Sequence, residues 1–386
     1  LAYRHLGLTM KIDHAKADNS LLFTTDVFPK AVQEAKKYLG SKTGPMVLSL
    51  IAGKKRTFLR IEQESTGAAS EIEVAADNFM IERGKKFSIC VPEGWLISFL
   101  RASGKNKVRL LVLGGEASLE SGAKSSTTRL LDHPDSMLDR ENEDGEKQII
   151  RVGRFGKYAS LIAGLKPHFT NKPVAATYGV VDGAAFFMAN DQYHGSLIFK
   201  AGAEEENIVL TTNTEAFRPM LDSDEEFICV LDQGRLQMRS KAKPLRKFWM
   251  PVFDPSASPS AEEIKGLMET GADKRITLDA DEMREALAIM TRGGEDDSAQ
   301  FSMKLASDML NLSFASATSS ADASIKCDEK KSDKAWNKEI TVDPKLLYDC
   351  MTRHSGKIRM WMTDNVLFIQ QKQEEFLHRS FTILMD

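Results

Sequence analysis

Asp296-Asp297 and Glu225-Glu226 are the side chains closest to a general acid–base pair, yet each lies in a charged, loop-forming run where a carboxylate ordinarily serves solvation. Cys90, Cys229, Cys327 and Cys350 carry the atoms for zinc binding or nucleophilic attack, but they are far apart and no C-x-x-C spacing occurs. They read as small buried hydrophobes. His194 has no acid–base partner legible in the sequence around it. There is no G-x-S-x-G, H-E-x-x-H or phosphate-loop pattern, and Gly153-Arg-Phe-Gly156 opens a helix without the glycine spacing of a nucleotide site. No catalytic residue, metal or cofactor is expected.

The remaining chemistry is positive charge. Across 386 residues, 52 Lys and Arg against 55 Asp and Glu leave a net charge of −3, so any contact with phosphate must come from local basic faces. With 42% apolar and 28% charged residues, the chain has the composition of a globular protein able to bury a sizeable core. Its longest apolar runs, Met46–Ala52 and Val174–Ala189, fall short of the roughly 20 uninterrupted residues a membrane span needs. Residues Leu1 to Met10 lack a signal peptide's apolar centre, so a cytoplasmic protein is expected. Met10-Lys-Ile-Asp reads as a possible natural start, with Leu1–Thr9 as a leader or a leftover of cloning.

The elements that must position those charges repeat. Asp26 can cap a helix to Leu39 striped by Val27, Ala31, Val32, Ala35 and Leu39, with Lys30, Lys36 and Lys37 off the stripe and strands predicted at Met46–Ile51 and Thr57–Ile61. Pro92 opens a second helix, striped by Leu96, Phe99 and Leu100, that leaves Arg101 and Lys105 outside; a hairpin about Gly114-Gly115 follows. The pair then recurs. Phe155, Ala159 and Ile162 stripe a helix carrying Arg154, Lys157 and Lys166, followed by a hairpin about Asp182-Gly183. Asn213 caps a short helix holding Phe217, Met220 and Leu221, with Arg218 outside, ahead of a hairpin about Gln233-Gly234. Asp279 caps a helix striped by Met283, Ala286, Leu287 and Met290, with Arg284 and Arg292 outside. Asp343-Pro344 opens the last helix, striped by Leu346, Leu347, Cys350 and Met351, with Lys345 and Arg353 outside.

The pairs begin near Val27, Val152 and Leu278, a period of about 125 residues that marks repeated domains. The fold class is α+β: three similar domains at 20–138, 148–253 and 275–386, each of two helix-plus-hairpin units. Residues 1–19 form an N-terminal extension, and the acidic stretch 139–147 and the Pro/Ser-rich stretch 254–274 are linkers. Acidic residues collect in linkers and loops while each helix shows a base off its stripe, a pattern suited to an anion-binding face.

Glu339-Ile-Thr-Val-Asp-Pro-Lys-Leu-Leu-Tyr-Asp-Cys350, leading into Lys357-Ile-Arg-Met-Trp-Met-Thr-Asp-Asn-Val366, resembles the last helix and hairpin of the bacterial-type sliding clamp, the β subunit that serves as polymerase processivity factor. Ala189-Asn-Asp-Gln-Tyr-His-Gly-Ser-Leu197 is similar to a loosened form of that family's Thr-Asp-Gly-His-Arg-Leu signature. The likeness runs from about Leu21 to Asp386 and rests on architecture more than on one motif. It implies a closed head-to-tail homodimeric ring with sheets outside and helices lining a hole for duplex DNA, tethering the replicative polymerase and other factors. The inner wall would then be drawn from Lys30, Lys36, Lys37, Arg101, Lys105, Arg154, Lys157, Lys166, Arg218, Arg284, Arg292, Lys345 and Arg353. Such flexible cations give exchangeable, sequence-independent phosphate contact.

The resemblance also implies a cleft that receives short linear peptides from polymerase and clamp loader, here with Leu161, Tyr193, His194, Leu197, Pro251, Val252, Ile383, Leu384 and Met385. The chain ends Phe381-Thr-Ile-Leu-Met-Asp386 where the family usually has Met-Pro-Met-Arg-Leu, so the preferred peptide is expected to differ. Ile289 lies off its helix's stripe, and the likeness places Ile289 and Met290 at a dimer contact. The opposite edge would be the polar, proline-free strand Lys124–Leu130, with Lys124, Ser126 and Thr128. Two readings from other classes stay open: a repeat-built interaction or structural protein that does not bind DNA, and an enzyme with an unrecognised site.

Overall fold

The computed structural model describes residues 19–23, 32, 44–52, 57–63, 68–74, 86–104, 108–132, 147–167, 174–221, 226–232, 235–240, 246–251, 259–271, 275–292, 300–330, 336, 339–363, 365–373 and 375–385. Contacts divide the chain into two compact units, 1–148 with 226–251, and 149–225 with 252–386. Among the described residues the α-helices are α1 (Glu93–Ser103), α2 (Lys157–Ala163), α3 (Thr214–Leu221), α4 (Ala261–Glu269), α5 (Ala280–Arg292) and α6 (Pro344–Met351). The predicted helix from Asp26 to Leu39 lies outside the described residues apart from Val32, which is helical and buried.

The repeating motif is larger than a helix with a hairpin: a leading strand, a helix and a three-stranded meander. Lys86–Pro92 leads α1 into Val108–Leu113, Glu116–Ser121 and Lys124–Arg129. Ile276–Asp279 leads α5 into Gln300–Ala306, Met309–Ala315 and Ser320–Lys326, and Ile340–Thr341 leads α6 into Lys357–Met362, Val366–Gln373 and Phe376–Ile383. Within a pair of motifs the leading strands are exchanged. Asn19–Phe23 pairs with Val108–Leu113 while Lys86–Pro92 pairs with Pro45–Ala52; Ile276–Asp279 pairs with Lys357–Met362 while Ile340–Thr341 pairs with Gln300–Ala306. Ile208–Asn213 likewise pairs with Ala175–Val181. Leading strands this short cannot stand alone, and antiparallel pairing with the partner motif satisfies their backbone groups.

Meanders join edge to edge into long sheets. In unit 1, Ala68–Val74 pairs with Arg246–Pro251, the outer strand of a second meander. In unit 2, His194–Ala201 pairs with Phe376–Ile383. Hairpin chemistry fixes the register. Gly114-Gly115 and Asp182-Gly183 both have positive φ at two consecutive residues, the conformation whose twist matches the flanking strands.

Helix ends follow local signals. Asp343 accepts hydrogen bonds from the N–H groups of Lys345 (2.7 Å) and Leu346 (3.4 Å), with Pro344 in the first turn. The stripe Met283, Leu287 and Met290 of α5 and Leu347, Cys350 and Met351 of α6 close one core of unit 2. Two sequence expectations change here. The stretch taken as a linker contains α4, opened by a reciprocal Ser260–Glu263 capping box and docked through the fully buried Ile264 against Phe186, Met188 and Leu197. The single helix expected through Phe155 and Ile162 is broken into a short 3-10 turn, Val152–Phe155, and α2, because Gly156 between them has φ 53°.

Candidate functional site

Apolar and charged side chains converge in unit 2, in a cleft of about 690 Å³ between the end of α2 and α6. Leu161, Pro167 and Tyr348 give it apolar surface, His194 forms part of its floor, and Lys166, Lys345, Asp349 and Arg353 supply charge. Leu161 is exposed because it lies off the buried Ala159 and Ile162 side of α2. His194 is brought in by the tight turn Asp191–Tyr193, in which the Asp191 carboxylate accepts from the N–H groups of Tyr193 (2.8 Å) and His194 (2.9 Å). The next residue must be glycine: a Cβ on Gly195 would meet the Phe381 ring at 2.3 Å.

The floor and one wall form an alternating chain of charges. His194 Nδ1 is 3.0 Å from Asp191 Oδ1 and its Nε2 is 3.1 Å from Asp349 Oδ2, while Arg353 Nη1 donates to the same Asp349 oxygen at 2.8 Å. Arg353 Nε also donates to the Leu161 carbonyl at 3.3 Å, tying the end of α2 to α6. His194 thus has the partner its sequence context did not reveal. Burial alone would lower its pKa, but the hydrogen bonds to Asp191 and Asp349 outweigh it and raise the imidazole to about 8. Both ring nitrogens face carboxylates, which suits the doubly protonated ring. Burial opposes ionisation of Asp349 too, yet His194 and Arg353 hold its carboxyl below the usual range.

A stability consequence follows from the sign of these shifts. The folded His194 binds its proton more tightly than the unfolded one, so its contribution is complete below about pH 6.5 and is lost as pH rises through about 8. The melting temperature of the wild type is therefore expected to fall more between pH 6.5 and 9 than that of His194→Gln. Parallel profiles would contradict this pairing.

The other residues singled out in the sequence are placed differently. Leu197 is fully buried among Val181, Phe186, Met188 and Ile264, and Met290 is buried in the α5 core; both are packing residues rather than surface lining, since His194–Ala201 is covered on both faces for most of its length and Met290 lies on the stripe. Ile383 donates its N–H to the Tyr193 carbonyl at 2.9 Å, Leu384 is half-buried against the α5–α6 core, and Met385 is exposed. Lys166, Lys345 and Arg353, read as DNA-facing, line the cleft. Lys166 and Arg353 follow the ends of α2 and α6, capped at Gly164 and Thr352, so helical phase no longer sets their direction, and Arg353 is buried. Lys30, Lys36, Lys37, Lys105 and Val252 lie outside the described residues, as do the side chains of Arg218, Pro251 and Arg292.

Of the remaining cations, Arg154 is paired with Glu205 and Arg284 with Asp281, whereas Arg101 and Lys157 are exposed and carry no ion pair among the described residues. Ile289 is 68% exposed on α5. Lys124, Ser126 and Thr128 lie on Lys124–Arg129, which pairs on one side only, with Glu116–Ser121. Among the described residues no cluster of His, Cys, Asp and Glu could hold a metal ion, and no helix is long and apolar enough to cross a membrane.

No family model matches the chain, and no curated protein matches it in sequence. Solved structures do match it, over almost the whole chain. The DNA polymerase III β chain of Streptococcus pneumoniae TIGR4 superposes with a TM-score of 0.74 at 12% identity, covering 95% of this chain and 100% of that one. The fold is that of a sliding clamp. The putative β subunit of Eubacterium rectale ATCC 33656 gives a TM-score of 0.73 at 11% identity, with 95% and 100% coverage. The sliding clamp of Bacillus subtilis gives 0.72 at 14% identity, with 95% and 99% coverage. The clamp fold is thus retained here on a sequence that shares about one residue in eight with these structures.

Proposed function

We propose that this chain is a DNA sliding clamp: two copies close head to tail into a ring of six similar domains around duplex DNA and tether a replicative polymerase for processive synthesis. The observation that carries this reading is the match to clamp structures over 95% of the chain, end to end rather than in one domain. Two further features support it. The two meanders that are not joined to another leave Lys124–Arg129 at the edge of one four-stranded sheet and Ser320–Lys326 at the edge of another, each paired on one side. Open edges of this kind invite strand addition, and one of each per chain suffices to close a two-copy ring. Arg101 and Lys157 are then our candidates for phosphate contact, together with Lys30, Lys36 and Lys37, which lie outside the described residues. The domain limits are those of the repeat, near residues 138 and 253.

The cleft at Leu161 and His194 is the proposed docking site for short peptides of polymerase and loader, in a cytoplasmic replication complex. Leu161, Pro167 and Tyr348 would take apolar anchors, and Arg353 would keep the two helices at fixed separation. The chain itself would carry out no turnover. The test is retention: on nicked circular DNA the protein should survive gel filtration in 0.5 M NaCl, where phosphate contacts alone would be lost. Complete loss from the circle would contradict the reading.

A further inference from the structure

Charge at the cleft does not cancel. Asp191, His194, Asp349 and Arg353 alternate in sign and neutralise one another within hydrogen-bond distance. Lys166 and Lys345 stand outside that chain: both are exposed, both line the cleft, and neither has an ion pair among the described residues. Lys345 is also badly placed for its own helix. It is the second residue of α6, where the positive end of the helix dipole disfavours a cation, and its backbone N–H is already held by Asp343. With no ion pair to either ammonium among the described residues, two exposed positive charges line the cleft together with the exposed Leu161.

From this complementarity we infer that the cleft selects a short peptide that carries carboxylate side chains next to its apolar anchors, with Lys166 and Lys345 as the charge-reading pair. The inference rests on the peptide-docking reading of the cleft and adds to it which peptides are preferred. An apolar anchor against Leu161 and Tyr348 supplies most of the burial; the two lysines discriminate between acidic and neutral flanks. They act from the exposed rim, where each pair is screened by salt and contributes modestly.

The experiment uses the full chain and two fluorescein-labelled peptides, Asp-Asp-Leu-Leu-Phe and Asn-Asn-Leu-Leu-Phe, followed by fluorescence anisotropy. The acidic peptide is expected to bind about three- to tenfold more tightly in 50 mM NaCl, with the ratio shrinking towards one in 0.5 M NaCl. In the double variant Lys166→Gln, Lys345→Gln the ratio should fall to about one at low salt as well. Equal affinities for the wild type, or a preference that persists in the double variant, would overturn the charge-reading role while leaving the docking site standing. If neither peptide bound, the docking reading itself would fall and this inference with it. Retention on circular DNA, measured in parallel, reports on the clamp separately.

Discussion

Ile289→Asp is expected to convert a two-chain particle into single chains. Along α5 the side chains of Met283, Leu287 and Met290 are buried in the core of unit 2, whereas Ile289, one position before Met290, is 68% exposed. One exposed aliphatic group is ordinary on a protein surface; what singles out Ile289 is that its helix packs beside a strand with an open edge, which invites a second chain. The strand it packs beside, Ser320–Lys326, is unpaired on its second side, so the exposed Ile289 and the open edge lie on neighbouring elements. In the proposed two-chain contact a carboxylate at this position would cost about 3 kcal/mol or more, equivalent to at least a hundredfold rise in the dissociation constant. Because Ile289 contributes little to its own core, the separated chain should remain folded, melting below the wild type only by the stabilisation that association supplies. Sedimentation at micromolar concentration is the check: two chains for the wild type and one for the variant. An unchanged two-chain mass in the variant would remove Ile289 from the interface.

Arg379→Ala should produce the largest loss of stability. The guanidinium is buried in unit 2 with no carboxylate partner among the described residues; it donates to Gln370 Oε1 from Nη2 (2.6 Å) and Nε (3.2 Å) and to the Leu267 carbonyl at the end of α4. Its charge is met instead by aromatic faces, with Trp361, Phe199 and Phe368 at 4.8, 5.6 and 5.9 Å from ring centroid to Cζ. Burial pulls its pKa down to about 10, so it remains protonated at neutral pH. Alanine would leave a large cavity and an unsatisfied amide oxygen and carbonyl, a loss of about 3–5 kcal/mol. A fall of about 10 °C in the melting temperature of unit 2 follows. Calorimetry on the intact chain reads it; a change below about 2 °C would mean that the site relaxes around the smaller side chain.

The parts of this fold legible in the sequence were those set by local rules. Gly114-Gly115 and Asp182-Gly183 mark hairpin turns because few residues accept positive φ, and Asp343-Pro344 marks a helix start because cap and fixed φ act within one turn. Ser260-Ala-Glu-Glu263 carried an equally local signal, a capping box, yet the prolines and serines just before it outweighed that signal and α4 was read as linker. What the sequence hid is long-range. The exchange of leading strands joins residues such as Leu21 and Leu110, and no periodicity within either strand encodes the pairing.

The cleft was half legible for the same reason. Leu161 and His194 came from likeness to a known pattern, but the Asp349 that completes the histidine's environment is 155 residues away. Arg353 and Lys166 were assigned by helical phase beyond the point where their helices end, and phase has no meaning there.

The central claim, that two copies enclose DNA without gripping it, is tested most directly by cutting the DNA. After the protein has been loaded on nicked circles and freed of unbound chains in 0.5 M NaCl, a single restriction cut should release it, because a ring leaves over the new ends while its phosphate contacts are unchanged. Protein that stays bound to the linear product, or that never survives on the intact circle, would contradict encirclement.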